Sequence, residues 1–316
     1  MSTLSLRRIG GGLLPPMLLA LLAGCGGDAP RAAVPAAADS AVTVTDDAGR
    51  TVRLPRPARR VVSLLPAGTD ALFALGAGDR VVGRTRYDEL PQVQRLPSVG
   101  GGLDPSLEVL ASLRPDLVLA FETAGGSRLR PRIEALGIPV YAILPEDTAS
   151  ILRMVRNLGH LVGRGAAADS LARGIRARIA RVRAEAGGGE PLTALYVASV
   201  DPPIVAGPDT YIAELVGVAG GRLVGIPQGG ARWPQISLEE LVRLQPDVLV
   251  LPVGHDPGSN VENLRRATGW RELGAVREGR IATVPAGLMN RPGPSIGEAA
   301  EVLRRAIRSA TEGRPR

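Results

Sequence analysis

Gly293-Pro294-Ser295-Ile296-Gly297 has the G-x-S-x-G spacing that, at a strand-to-helix elbow, presents a serine hydroxyl to an acyl carbon. That chemistry needs a carboxylate and then a histidine further along the chain, and no His follows Ser295. The same residues open a helical pattern, where serine is a natural N-cap, so a periplasmic hydrolase is set aside. Other reactions lack their atoms. All 38 basic residues are arginine, which removes the lysine of a phosphate loop and the lysine of a Schiff base. Two histidines and one cysteine are too few for an ordinary zinc site built from His and Cys. His255 lies in the loop Pro252-Val253-Gly254-His255-Asp256 and is given no role; His160 is expected on the exposed side of a helix. No catalytic residue, metal site or cofactor is assigned, and the chain reads as a binder rather than an enzyme.

The carboxylates carry a different signal. Ser106–Leu119 and Val250's segment, which begins at Ser237, agree at 7 of 14 positions, offset by 237 − 106 = 131 residues. Each copy places a glutamate, Glu108 or Glu239, two residues after a serine. Helix capping explains Ser237 with Glu240, which spells a capping box, and acids near a helix start favour its dipole. Capping does not require Glu108 and Glu239 to share one register in two halves of the chain, although an old duplication would also produce it.

The elements that must hold these residues follow from pattern. A chain of 316 residues is long enough for two cores, and 45% hydrophobic with 22% charged residues is a globular composition. The formal charge of +7 does not point to nucleic acid. No recognition helix, Cys/His finger or aromatic platform accompanies it. Aromatic residues are scarce (two Trp, four Tyr, two Phe), so any site needing rings draws on few.

Arg7 and Arg8, then an apolar run from Leu13 to Ala23 broken by Pro15 and Pro16, read as a secretory leader, and Leu22-Ala23-Gly24-Cys25 resembles the lipobox of bacterial lipoproteins, which implies a lipoprotein signal over residues 1–24. An ordinary secretory signal with a chance Cys is the other reading. Cys25 is the expected lipidation site, residues 25–42 a flexible tether, and the location extracytoplasmic and membrane-anchored.

Beyond the tether, Thr43–Pro55 alternates as a small hairpin. Continuous apolar runs of strand length then alternate with helical patterns, which means βαβ units and mainly parallel sheets. The helix around Thr69–Gly76 and the one at Leu107, Leu110 and Leu113 belong to a first αβ lobe spanning 43–164. Strands cease between Thr148 and Glu185. The second helix there carries Leu171, Ile175, Ile179 and Val182 on one stripe and arginines elsewhere, a solvated rod of roughly 30 Å over residues 165–186. The alternation resumes over 187–316. The expected fold is therefore α/β, with two Rossmann-like lobes of mainly parallel sheets joined by one long helix.

Taken together, the run from Arg59 to Pro91 and the phrase Pro105–Ala120 resemble the periplasmic binding proteins that deliver iron–siderophore complexes, heme or cobalamin to ABC importers. The resemblance covers roughly Val44 to Ala310 through many weak positions. It implies two lobes on a rigid helix with a ligand cleft between them, and a permease dimer as partner for a monomeric, lipid-anchored protein. Within the family, Trp233-Pro234-Gln235 before Ser237, Tyr87-Asp88-Glu89 before Pro91, Pro202-Pro203-Ile204, and Arg291 are closest in phrasing to the cobalamin binder. Gly100-Gly101-Gly102 and Phe121 depart from it where that protein has Trp. The resemblance implies ligand contacts at Ala67, Tyr87, Phe121, Ile204, Trp233 and Arg291. It also implies permease docking through Glu108 and Glu239, since carboxylate–guanidinium pairs are strong and directional. Cobalamin or a related corrinoid is the expected ligand, then a ferric siderophore, then heme.

Overall fold

The structure, a computed structural model, describes residues 40–122, 126, 128–187, 189–225, 231–254 and 260–312. The lipoprotein signal, Cys25, most of the tether and His255 lie outside the described residues. Two short strands, β1 (Val42–Thr45) and β2 (Thr51–Leu54), pair antiparallel into the hairpin that the alternation predicts. Asp46 anchors its turn by accepting from Ala48 N and Arg50 N at 3.1 and 2.8 Å. Its other oxygen pairs with Arg130 Nη1 at 2.5 Å inside the protein.

The first sheet runs β4-β3-β5-β6, from β3 (Val61–Ser63), β4 (Val81–Gly83), β5 (Leu117–Phe121) and β6 (Val140–Ile143), all parallel. Its strands are buried on both faces, as continuous Val/Leu/Ile runs require. The helix predicted from Thr69 begins earlier, at Pro66, because proline suits the first helical position, where its missing N–H costs nothing.

The second sheet is built on β7 (Leu192–Ser199), which is parallel to β9 (Gly221–Leu223) and to β10 (Val248–Val253). β11 (Ile281–Pro285) adds in parallel beyond β10, and the two-residue β8 (Ile204–Val205) joins β7 antiparallel. Strands β8 and β9 are too short to announce themselves by pattern; β7 makes them strands by pairing with them. The fold is thus the expected α/β arrangement with two mainly parallel sheets.

Between the sheets, helices Thr148–Leu161 and Gly165–Ala186 follow one another. Asp147 caps the first by accepting from Ser150 N at 2.6 Å. The 22-residue second helix buries Ala168, Ala172, Ile175, Ile179 and Val182. A Cβ at Gly159 would overlap that of Ala168, so glycine lets the two helices touch. On its outer side, Arg178 Nε and Arg181 Nη2 reach Glu301 Oε1 at 2.8 and 2.6 Å, tying the rod to the last helix, Ile296–Thr311. Among the described residues no helix is long and apolar enough to cross a membrane.

Candidate functional site

In an open parallel sheet the strands' carboxyl ends are where ligands meet loops. Here those ends converge. Leu65, Pro66 and Ala67 follow β3, Tyr87 follows β4, Phe121 closes β5, and Pro145 and Glu146 follow β6. From the other lobe come Tyr211, Arg232 and Trp233, and then Asn290, Arg291 and Pro292 beyond β11. Together they line two adjoining hollows of about 260 and 250 Å³ that share Phe121, Pro145, Asn290 and Pro292 as a common wall.

Each aromatic is aimed by its element. β5 is buried for four residues and surfaces only at Phe121. Trp233 rides on a loop tied alongside β8: Gly207 N donates to Arg232 O at 2.7 Å, Val205 N to Pro234 O at 3.1 Å and Ile236 N to Pro203 O at 3.0 Å. Behind it, Tyr196 and Tyr211 meet the indole edge-on at centroid distances of 6.3 and 6.4 Å. Burial pushes both phenols up, so they stay neutral hydroxyl donors at ordinary pH. Tyr196 donates to Asn290 Oδ1 at 2.8 Å and Tyr211 to Met289 O at 2.9 Å, which fixes the loop that carries Arg291.

Of the eight aromatic residues in the chain, those that stay exposed are Tyr87 at 52%, Phe121 at 37% and Trp233 at 40%. All three line the hollows. Exposed rings gathered at one concavity are more informative than rings scattered singly over a surface.

Charge is arranged in pairs across the cleft. Arg291 is ion-paired with Glu89, and Arg232 Nη2 sits 2.5 Å from Glu146 Oε1. Asp70 lies near Arg291. Burial raises its carboxyl above the ordinary value, Arg291 opposes the rise, and Asp88 and Glu89 reinforce it.

Five of the six anticipated ligand residues, Ala67, Tyr87, Phe121, Trp233 and Arg291, therefore share this site. Ile204 stands apart: it is held in β8 between Ser199 and Gln235 and lines neither hollow. A Cβ at Gly102 would overlap the Leu64 carbonyl oxygen, so this backbone admits no side chain there. Pro145, Asn290, Glu146 and Arg232 were not anticipated. Asn290, in the run Met289-Asn290-Arg291-Pro292, was one residue from a residue already singled out.

Glu108 and Glu239 are both exposed, each in the first turn of its helix, Leu107–Ser112 and Leu238–Leu244. Ser106 Oγ accepts from Val109 N at 3.3 Å and Ser237 Oγ from Glu240 N at 3.1 Å, so both serines cap. Capping uses the serine hydroxyls and not the carboxylates of Glu108 and Glu239. Glu239 has Arg243 at 3.7 Å on its own helix, with both side chains largely in solvent. Ser295 sits at the N-cap position of the last helix without a side-chain cap bond. The short helix Ala286–Met289 separates it from β11, so the strand-to-helix elbow is not formed.

A two-lobed α/β fold with parallel sheets is what known proteins also show. The family model for periplasmic binding proteins matches residues 61–288, and the chain belongs to that family of non-enzymatic transport components. It is similar to the uncharacterized ABC transporter substrate-binding lipoprotein YvrC of Bacillus subtilis, 29% identical with 94% of this chain and 96% of that one covered. It is 25% identical to the vitamin B12-binding protein of Vibrio cholerae over 78% of this chain and 88% of that one. Among solved structures, the apo heme-binding protein RhuT of Roseiflexus sp. RS-1 aligns with a TM-score of 0.72, 29% identity, and 80% and 99% of the two chains covered. The vitamin B12-binding protein BtuF of Vibrio cholerae gives 0.70, 25%, 81% and 99%.

Proposed function

We propose that the protein is the lipid-anchored, ligand-capturing component of an ABC importer and that its ligand is cobalamin or a related corrinoid. One observation carries the ligand class: the exposed rings Tyr87, Phe121 and Trp233 surround a single cleft at the strand ends of two lobes. Flat faces of this kind suit a large amphipathic macrocycle, with Asn290 and the arginines as polar anchors. Both arginines that line the hollows are paired with carboxylates, which favours a ligand without strong negative charge over a polyanionic siderophore. The vitamin B12-binding relatives support the same reading.

Heme is the second reading, because Tyr87 presents an exposed phenol at the cleft, and a tyrosinate is a known axial ligand of heme iron. A heme-binding neighbour of 29% identity supports it.

Capture outside the membrane through a lipid on Cys25, release to a permease dimer and action as a monomer complete the proposal, with the lobes at 43–164 and 187–316 and the rod at 165–186. Titration of the mature protein with cyanocobalamin, hemin and ferric siderophores, followed by tryptophan fluorescence and heat, tests it. Saturable cobalamin binding is expected; tight hemin binding with none of cobalamin selects the second reading, and a siderophore alone overturns both.

A further inference from the structure

We propose that Glu89 and Glu146 set the charge of the ligand this cleft accepts, each by occupying an arginine that lines it. The inference rests on the cleft being the ligand site. Arg291 lines the first hollow, and its side chain is only 18% exposed. Its partner Glu89 comes from the opposite lobe, 291 − 89 = 202 residues away, on the loop after β4. Arg232 lines the second hollow beside Glu146, again across the lobes, and Arg232 Nη1 also donates to Asp209 O at 2.8 Å. Each hollow thus has one guanidinium, and each guanidinium has a carboxylate already seated on it.

The consequence is chemical. A guanidinium carries five N–H donors, and one carboxylate uses at most two of them. The remainder can still donate to amide or carbonyl oxygens of a neutral ligand while the local net charge stays near zero. An anionic ligand must instead compete with the resident carboxylate and leave a glutamate facing it. That is discrimination by a repulsive element rather than by an added contact.

Neutral and anionic versions of one ring test this without depending on which ring is natural. Cyanocobalamin is compared with its monocarboxylate derivative, and hemin with its dimethyl ester, on the full mature chain. Glu89→Gln and Glu146→Gln are each expected to raise the anionic-over-neutral preference at least about tenfold, through a freed charge-assisted bond. The gain should weaken with added salt. Arg291→Gln, which leaves Glu89 without that arginine, is expected to move the preference about tenfold the other way; thermal unfolding verifies that each variant is folded. An unchanged preference in folded Glu89→Gln and Glu146→Gln overturns the inference and leaves the cleft reading standing. If the wild type binds neither member of either pair, the macrocycle reading falls, and this inference with it.

Discussion

The indole of Trp233 meets the ring of Tyr196 edge-on at 6.3 Å, and the Tyr196 hydroxyl holds Asn290 at 2.8 Å. One buried tyrosine therefore supports both an exposed ring and a polar group of the cleft. Trp270, the other tryptophan, is buried in a cluster with Leu241, Leu249 and Leu264 and lines neither hollow. Ligand-induced quenching is expected to disappear in Trp233→Phe and to persist in Trp270→Phe. Trp233→Ala is expected to weaken ligand binding about tenfold or more, consistent with the ~0.5–1.5 kcal/mol of an aromatic pair plus lost apolar area.

Glu108 and Glu239 offer a test in which affinity and transport separate. Both are exposed at equivalent helix starts and neither lines the cleft. The double variant Glu108→Ala/Glu239→Ala is expected to abolish uptake in cells while the dissociation constant of the purified protein stays within about twofold. Normal uptake, or a collapse of affinity, would remove the docking role.

Acid should loosen the rod. The hydrogen bond from Arg178, helped by Arg181, holds the Glu301 carboxyl below its ordinary value. A depressed native value means that this stability is present above the unfolded value, near 4.5, and is lost as pH falls through the native one. The thermal midpoint should therefore drop on acidification below about pH 5. Glu301→Gln should lower it at neutral pH and shrink its acid dependence.

Arg130 and Asp46 form a pair with side chains 7% and 0% exposed. Removing the cation from a buried carboxylate typically costs about 3–5 kcal/mol. Arg130→Met is expected to lose stability of that order in urea unfolding, while the exposed pair Arg266–Glu262, tested as Arg266→Met, should cost less than ~1 kcal/mol.

Much of the architecture was legible because its signals are local. Apolar runs such as Leu117–Phe121 and stripes such as Ile175, Ile179 and Val182 need only neighbouring residues to be read. The rings of the cleft were legible for a different reason: the family resemblance marked Tyr87, Phe121 and Trp233, and Gly229, Gly230 and Pro234 set Trp233 in a loop. What pattern could not supply was pairing between distant segments. Nothing near Glu146 marks Arg232 as its partner, and nothing near β8 says that β7 will recruit it. Ile204 illustrates the same limit: its place in a turn-rich stretch was readable, but the direction in which β7 and Gln235 hold it was not.

The close seating of Gly159 on Ala168 and the grip of Arg178 and Arg181 on Glu301 brace the central rod along one flank and then the other. Each contact fixes the rod to one neighbouring helix. In the proposed function, a rod gripped in this way would carry a push on one shoulder to the other.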